Sequence, residues 1–420
     1  MARLFRSIRL LSLLSLLPLC ACSHGPVGNN GSAKWDPESP YPLPSPPKVG
    51  EIVHLPTGKL VSMDQMLSIA ADYRIVYVGE THDNPASHRL ELDFLKGMEE
   101  RHPGRQAVGM EMFVRSQQPV LDRWVAGELT EKEFLKQVKW YETWRSDFAY
   151  YREILFYARD HKIPVVALNA EKSLVTALRT KTPEELPPQQ RLELPQMDFN
   201  DPYQRALISA IFSDHLKGGL KIDGFVRAQT LWDETMAESV ANFLDSPQGK
   251  DRHLLVFAGG HHVGYGFGIP RRVFRRMPAS YLLVGGHEIN LGAEKQDRLM
   301  DVEIPQFPMV PYDFLAYLKY EDLPATGVRL GVVLEPASGG KGVLVTMVEP
   351  HSAADAAGIQ KGDVILEIDG TPIAENFDLV YVVQQKHPGD RGVLKIKRQE
   401  EILTLTATFA APATDLHPKK

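Results

Sequence analysis

Residues 74–85 read RIVYVGETHDNP, and this stretch decides the fold. Its first half is an unbroken run of β-branched and aromatic residues, the pattern of a strand covered on both faces. Its second half turns abruptly polar, and Asn84-Pro85 is the signature of a helix start, an N-cap followed by proline at the first helical position. Four more short apolar runs follow, at 106–112 (QAVGMEM), 164–168 (PVVAL), 253–258 (HLLVFA) and 281–284 (YLLV). Between them lie helical patterns at 86–101, 119–159, 172–178, 202–216 and 224–244. Alternation of this kind predicts an α/β domain, a mainly parallel sheet flanked by helices. The stretch 115–160 breaks the alternation and predicts a helical insertion over one edge of the sheet.

The chemistry collects at the ends of these runs. Glu80 and His82 follow the first, Glu111 ends the second, Asn169 follows the third, and His261 and His262 follow the fourth in FAGGHH. Ligand clefts of open α/β sheets lie beyond the carboxyl ends of the strands, so these residues are expected to converge. Buried carboxylates are costly unless paired, which favours a functional reading of Glu80 and Glu111 over a purely structural one. His261 and His262 are adjacent, and one of them is expected to face the cleft. As a hydrolase site the set would be Glu80, His82, Glu111, His261 and His262; as a divalent-metal site, Glu80, His82, Glu111 and His261. No HExxH, GxSxG or phosphate-loop motif is present.

The insertion is rich in aromatics, ten of the 46 residues from 115 to 160, against 9 % for the chain. Such faces are ordinarily core; the alternative is a wall for a flat apolar ligand, with a tyrosinate as a hard oxygen donor to ferric iron.

The chain opens with Arg3, Arg6 and Arg9 before an apolar run from 10 to 20, too short to span a membrane comfortably and typical of an export leader. The two cysteines of the chain, Cys20 and Cys22, both lie at its end, so neither a disulfide framework nor a thiolate metal site belongs to the folded body. Leu19-Cys20-Ala21-Cys22 resembles a bacterial lipobox. Residues 1–21 are then a lipoprotein signal peptide and Cys22 the acylated residue, with Ser23 after it favouring the outer membrane, facing the periplasm. Residues 22–49 are rich in proline and read as an extended tether. A net charge of −6 disfavours nucleic acid as a partner.

Five blocks taken in order, VGETHDN, GMEMF, YYREILFYAR with IPVVALN, AQTLWDETMA and FAGGHHVGYGFGIP, resemble the ChaN family of haem-binding, iron-regulated lipoproteins, within the Tiki and erythromycin-esterase-like superfamily. The resemblance implies an α/β domain over 50–304 and haem bound through a tyrosine, shared across a homodimer. Tyr150 and Tyr151 lie in the matching block, with Tyr141 close behind, and His82, His261 and His262 would line the same site. After a proline-punctuated linker at 305–327, residues 328–410 resemble a bacterial PDZ domain, a small β-rich α+β module, and 411–420 form a tail. SAADAAGIQKGDVILEIDGTPI carries that likeness, and Leu330, Gly331, Val332 and Val333 match its carboxylate-binding loop. PDZ grooves bind a protein C-terminus or extended peptide as an added strand. Together these imply a lipid-anchored haem protein of iron uptake or handling with a protein partner. The alternatives are a metal-dependent hydrolase, and a PDZ adaptor on an inactive α/β scaffold.

Overall fold

In a computed structural model of the chain, residues 43, 45–144, 146–212, 222–291, 304–323, 328–337 and 341–410 are described. The signal peptide, Cys22, nearly all of the tether and the tail at 411–420 lie outside the described residues. No helix among the described residues is long and apolar enough to cross a membrane.

The first sheet has eight strands: β1 (Ile52–His54), β2 (Lys59–Val61), β3 (Ile75–Glu80), β4 (Gln106–Val114), β5 (Val165–Asn169), β6 (His253–Gly259), β7 (Tyr281–Glu288) and β8 (Phe314–Leu318). Their order is β2-β1-β8-β7-β3-β6-β4-β5. From β8 to β5 every pairing is parallel, whereas β1 runs antiparallel to β2 and β8 at one edge. The expected mainly parallel sheet is therefore present, with an antiparallel edge. All residues of β3 and β4 are buried, which is why their apolar runs do not alternate.

One element departs from expectation. The segment 305–327, read as a linker, supplies β8, which lies between β1 and β7 and completes the first sheet. Pro305, Pro308 and Pro311 disguised it, because they deliver the chain to the sheet and the apolar run that follows is only FLAYL. Tyr312 follows Pro311; its ring occupies the space a Cβ on Gly285 would need, and its hydroxyl lies close to Gly79, Gly260 and Gly264.

The helices are α1 (Met63–Ala70), α2 (Pro85–Arg101), α3 (Gln118–Ala126), α4 (Glu131–Gln137), α5 (Trp140–Thr143), α6 (Ala149–Asp160), α7 (Lys172–Thr180), α8 (Pro188–Leu192), α9 (Pro202–Ile211), α10 (Ile222–Asp245), α11 (Gly260–Val263) and α12 (Ile269–Arg276). Asn84 caps α2 as its sequence implies: its side chain accepts from the Ala86 N–H at 3.0 Å. Helices α3 to α6 form the insertion. Trp124, Phe134, Trp140, Phe148 and Tyr151 are buried in one cluster with β4, while Tyr141, Trp144, Tyr150, Phe156 and Tyr157 pack around it half-exposed. The ordinary core reading thus accounts for half of the aromatics.

The second sheet, antiparallel, contains β9 (Val332–Pro336), β10 (Val343–Val348), β11 (Val364–Ile368), β12 (Thr371–Pro372), β13 (Arg391–Arg398) and β14 (Glu401–Thr408). Its order is β14-β13-β11-β10-β9, with β12 paired to β11, and two helices complete it, α13 (Ala353–Ala356) and α14 (Asn376–Gln384). Both sheets lie in one compact unit, Pro37–Lys420. Where they meet, the Tyr141 ring stacks on Phe377 and Lys132 pairs with Asp378 at 3.4 Å.

Candidate functional site

The carboxyl ends of β3, β4 and β6 converge because these strands pair in register, Glu80 beside Gly259 and Met110 beside Phe257. Glu80 is the last residue of β3, and the chain then turns so that His82 Nδ1 comes back to Glu80 Oε1 at 2.5 Å. Tyr151, from α6, donates to the same oxygen at 2.8 Å. Beneath them His88, on the buried face of α2, points Nδ1 at Glu91 Oε2 (3.0 Å) and Glu80 Oε2 (3.1 Å). The His88 Nε2–H donates to the His82 carbonyl at 3.1 Å. Of the two contacts, the one to Glu91 has hydrogen-bond geometry, while Glu80 Oε2 meets the ring as an ion pair.

These contacts set the protonation states. Burial alone would raise the Glu80 carboxyl, but the His88 and His82 charges hold it well below the usual range. Burial likewise opposes charging of His88, yet Glu80 and Glu91 push it up to about 10. For Glu91, burial and the neighbouring Glu80 charge act together and raise its carboxyl well above normal. The contacts thus favour the charged forms of Glu80 and His88 and oppose ionisation of Glu91. Tyr151 is also held as a phenol, by burial and by Glu80.

A second set stands across the cleft. Glu111 on β4 accepts from the Gly259 N–H at 2.8 Å and lies 3.4 Å from His262 Nε2. His262 Nδ1 donates to Asp233 of α10 at 2.6 Å. Despite burial, Glu111 and Asp233 push His262 up to about 10, and His262 in turn holds Glu111 down to about 2 against the opposing effect of burial. Asn169 donates to the Glu111 carbonyl at 2.9 Å and fixes the strand end. Gly259 lies between the two sets, and a Cβ there would crowd His82 Nε2 at 3.0 Å.

Four of the sequence-derived candidates thus come together: Glu80 and His82 form one ion pair, Glu111 and His262 another, and the charges of Glu111 and His262 act on His82. His261 is exposed, because β6 ends at Gly259 and the two histidines begin a helical turn instead of prolonging the strand. Among the described residues, the set with one ligand atom each within 4.8 Å is Glu80, His88 and Glu91. Tyr151 is fully buried on Glu80, whereas Tyr150 is half-exposed, its ring 5.3 Å from His88. Half-exposed Trp144 meets His82 edge-on at 5.0 Å, and its indole N–H, itself buried, finds no acceptor among the described residues. His88 and Glu91 were missed in the sequence. Their signal is position: with Leu95 and Met98 they follow the i, i+3, i+7 spacing of the buried stripe of α2.

The second candidate site is the groove between β9 and α14. Leu330 is buried and Gly331 has φ +80°, with Ser352 only 2.2 Å from where a Cβ would sit. Val332 and Val333 start β9, the outermost strand of its sheet. A cavity of about 680 Å3 occupies the groove, and Tyr141, Phe148 and Arg152 of the insertion wall its far side.

The molecule is therefore an α/β domain with a carboxylate–imidazole cleft, joined to a small β-rich module with an open-edged groove. Residues 66–273 match the family described as haem-binding uptake, Tiki superfamily, ChaN, and residues 328–408 match the PDZ domain. The chain carries a ChaN-family domain followed by a PDZ domain. Among solved structures it is similar to ChaN of Campylobacter jejuni, described by its cofacial haem binding, with 16 % identity and a TM-score of 0.49 over 63 % of this chain and 95 % of that one. Among curated proteins, a probable periplasmic serine endoprotease DegP-like of Marinomonas sp. is 35 % identical over 74 residues, 18 % of this chain and 16 % of that protein. The regulator of sigma-E protease RseP of Escherichia coli is 35 % identical over 89 residues, 21 % of this chain and 18 % of that protein. The chain thus spans less than a fifth of the length of these curated relatives.

The Glu111–His262 pair makes stability pH-dependent. His262 contributes in full below its ordinary value of 6.5, and that share is lost as pH rises through about 10. Glu111 contributes in full above 4.5, and its share is lost as pH falls through about 2. Melting temperature followed across pH is expected to decline on the alkaline side between 6.5 and about 10, where His88 loses its share as well, and His262→Asn is expected to make that limb shallower.

Proposed function

We propose that this protein is a lipid-anchored haem-binding protein of iron uptake or handling in the bacterial envelope, whose PDZ domain holds the C-terminus or an extended segment of a protein partner. The observation that carries the haem reading is the family match over 66–273, which contains the aromatic insertion and both tyrosines of the matching block. The donor set fits haem. Tyr150 is the partly exposed phenol at the lip of the cleft and would ligate ferric iron as tyrosinate, a hard oxygen donor. The Trp144 N–H, which has no acceptor among the described residues, would donate to an anionic oxygen of the ligand, and His82 would pack beside it. Tyr151 supports the site from behind, through Glu80. Glu80, His88, Glu111 and His262 are tied up in ion pairs, and an imidazolium held as firmly as His262 is a poor general base, which suits binding over turnover.

The envelope location rests on the lipobox at Cys22 and on relatives of the PDZ segment that are named as periplasmic. The PDZ reading rests on the Leu330–Val333 loop, where backbone N–H groups would receive a carboxylate, and on β9 being the outermost strand of its sheet among the described residues.

Haemin titrated into the chain from residue 23 onward is expected to bind saturably with the absorption of tyrosinate-ligated ferric haem. Tyr150→Phe should remove that absorption and weaken binding by at least about tenfold, or ~1.4 kcal/mol. Tyr151→Phe should lower stability while keeping the spectrum; an unchanged spectrum in Tyr150→Phe contradicts the assignment. Peptides with a free apolar C-terminus should bind the second groove in fluorescence anisotropy, and either amidating the peptide or making Gly331→Val should abolish binding.

A further inference from the structure

We propose that Glu80, His88 and Glu91 form a buried site for one divalent first-row transition-metal ion, of the Mn2+, Fe2+ or Zn2+ class, separate from the Glu111–His262–Asp233 set and from the haem lip. The first support is spacing. Donors about 2.1 Å from a common ion, at octahedral or tetrahedral angles, stand roughly 3.0–3.4 Å from one another. His88 Nδ1 lies 3.0 Å from Glu91 Oε2 and 3.1 Å from Glu80 Oε2.

The second support is unmet bonding capacity. Glu80 Oε2 and Glu91 Oε1 are buried acceptors without a hydrogen bond among the described residues, although most buried carboxylate oxygens have one. An ion held by Glu80 Oε2, His88 Nδ1 and the Glu91 carboxylate, whose ligand atoms lie within 4.8 Å of one another, gives these groups a common partner. Two carboxylates and a neutral imidazole carry a charge of −2, which a divalent ion cancels. The donors are hard or borderline and include no sulfur, which sets the class of ion.

The outer contacts are those of a prepared ligand. His88 Nε2–H donates to the His82 carbonyl, which fixes the tautomer and turns Nδ1 inward. Tyr151 donates to the other oxygen of Glu80 and orients that carboxylate. The three ligand side chains are at most 4 % exposed, and the Tyr151 ring packs 4.5 Å from the His88 ring. Burial to this degree implies loading during folding and a structural role: the ion would tie α2 to the end of β3 and set the position from which Glu80 holds His82.

The test uses the chain from residue 23 onward, produced in medium supplemented with Mn2+, Fe2+ and Zn2+ and analysed for metal by mass spectrometry without added haem. About one equivalent of one of these ions per chain is expected, together with a lower melting temperature for protein produced under chelation. Glu91→Gln keeps shape and removes one ligand charge, so it should fold and lose at least nine-tenths of the metal; His88→Gln should do the same. Glu111→Gln and His262→Asn, in the other set, should retain it. Folded wild-type protein free of metal overturns the proposal, and so does metal that persists in Glu91→Gln or is lost only in the Glu111 and His262 variants.

Discussion

The arrangement depends on one constraint: Glu80 is an ionised carboxylate with no solvent exposure at the end of a central strand. An uncompensated charge there would cost several kcal/mol, so the surroundings must supply opposite charge and hydrogen bonds. They come from three elements. His82 approaches from the loop after β3, His88 from α2, and Tyr151 from α6. The helical insertion is thereby pinned to the sheet through a polar contact as well as through its aromatic core, and the lip bearing Tyr150 and Trp144 inherits its position from that contact.

The opposite wall follows the same logic with different residues. Asp233 and Glu111 bracket His262, and Asp233 is itself held by Gln204, which accepts from the buried Arg272. Arg272 pairs with Glu234, fully buried, which also receives Arg275 and Arg276. Charge at the cleft is thus balanced stepwise toward the surface through α10 and α12. Both groups of ion pairs flank Gly259 and are held in place by buried partners.

Much of this was legible in the sequence. Strands buried on both faces announce themselves as continuous apolar runs, and polar residues at their carboxyl ends must meet once the strands are parallel, so Glu80, His82 and Glu111 are legible, and the His261–His262 pair is legible without a choice between its members. What could not be read depends on contacts remote in sequence. Strand β8 was hidden because three prolines and a five-residue apolar run look like a junction until β1 and β7 are there to pair with it. His88 and Glu91 sit on a helix face that periodicity alone assigns to core, and only the neighbouring Glu80 makes their polarity meaningful. Tyr150 and Tyr151 are adjacent and chemically alike; the rotation of α6 decides that one is sealed on Glu80 and the other stays half-exposed beside His88.

The most direct measurement of the central claim is a double-mutant cycle on Glu80 and His88, by denaturant unfolding of chelator-treated protein at neutral pH. Glu80→Gln leaves His88 as a buried charge without its principal partner, and a loss of about 3–5 kcal/mol is predicted. Adding His88→Gln should recover part of that loss, with a coupling of at least about 1 kcal/mol. A loss below about 0.5 kcal/mol for Glu80→Gln, or two substitutions whose effects simply add, would contradict the account.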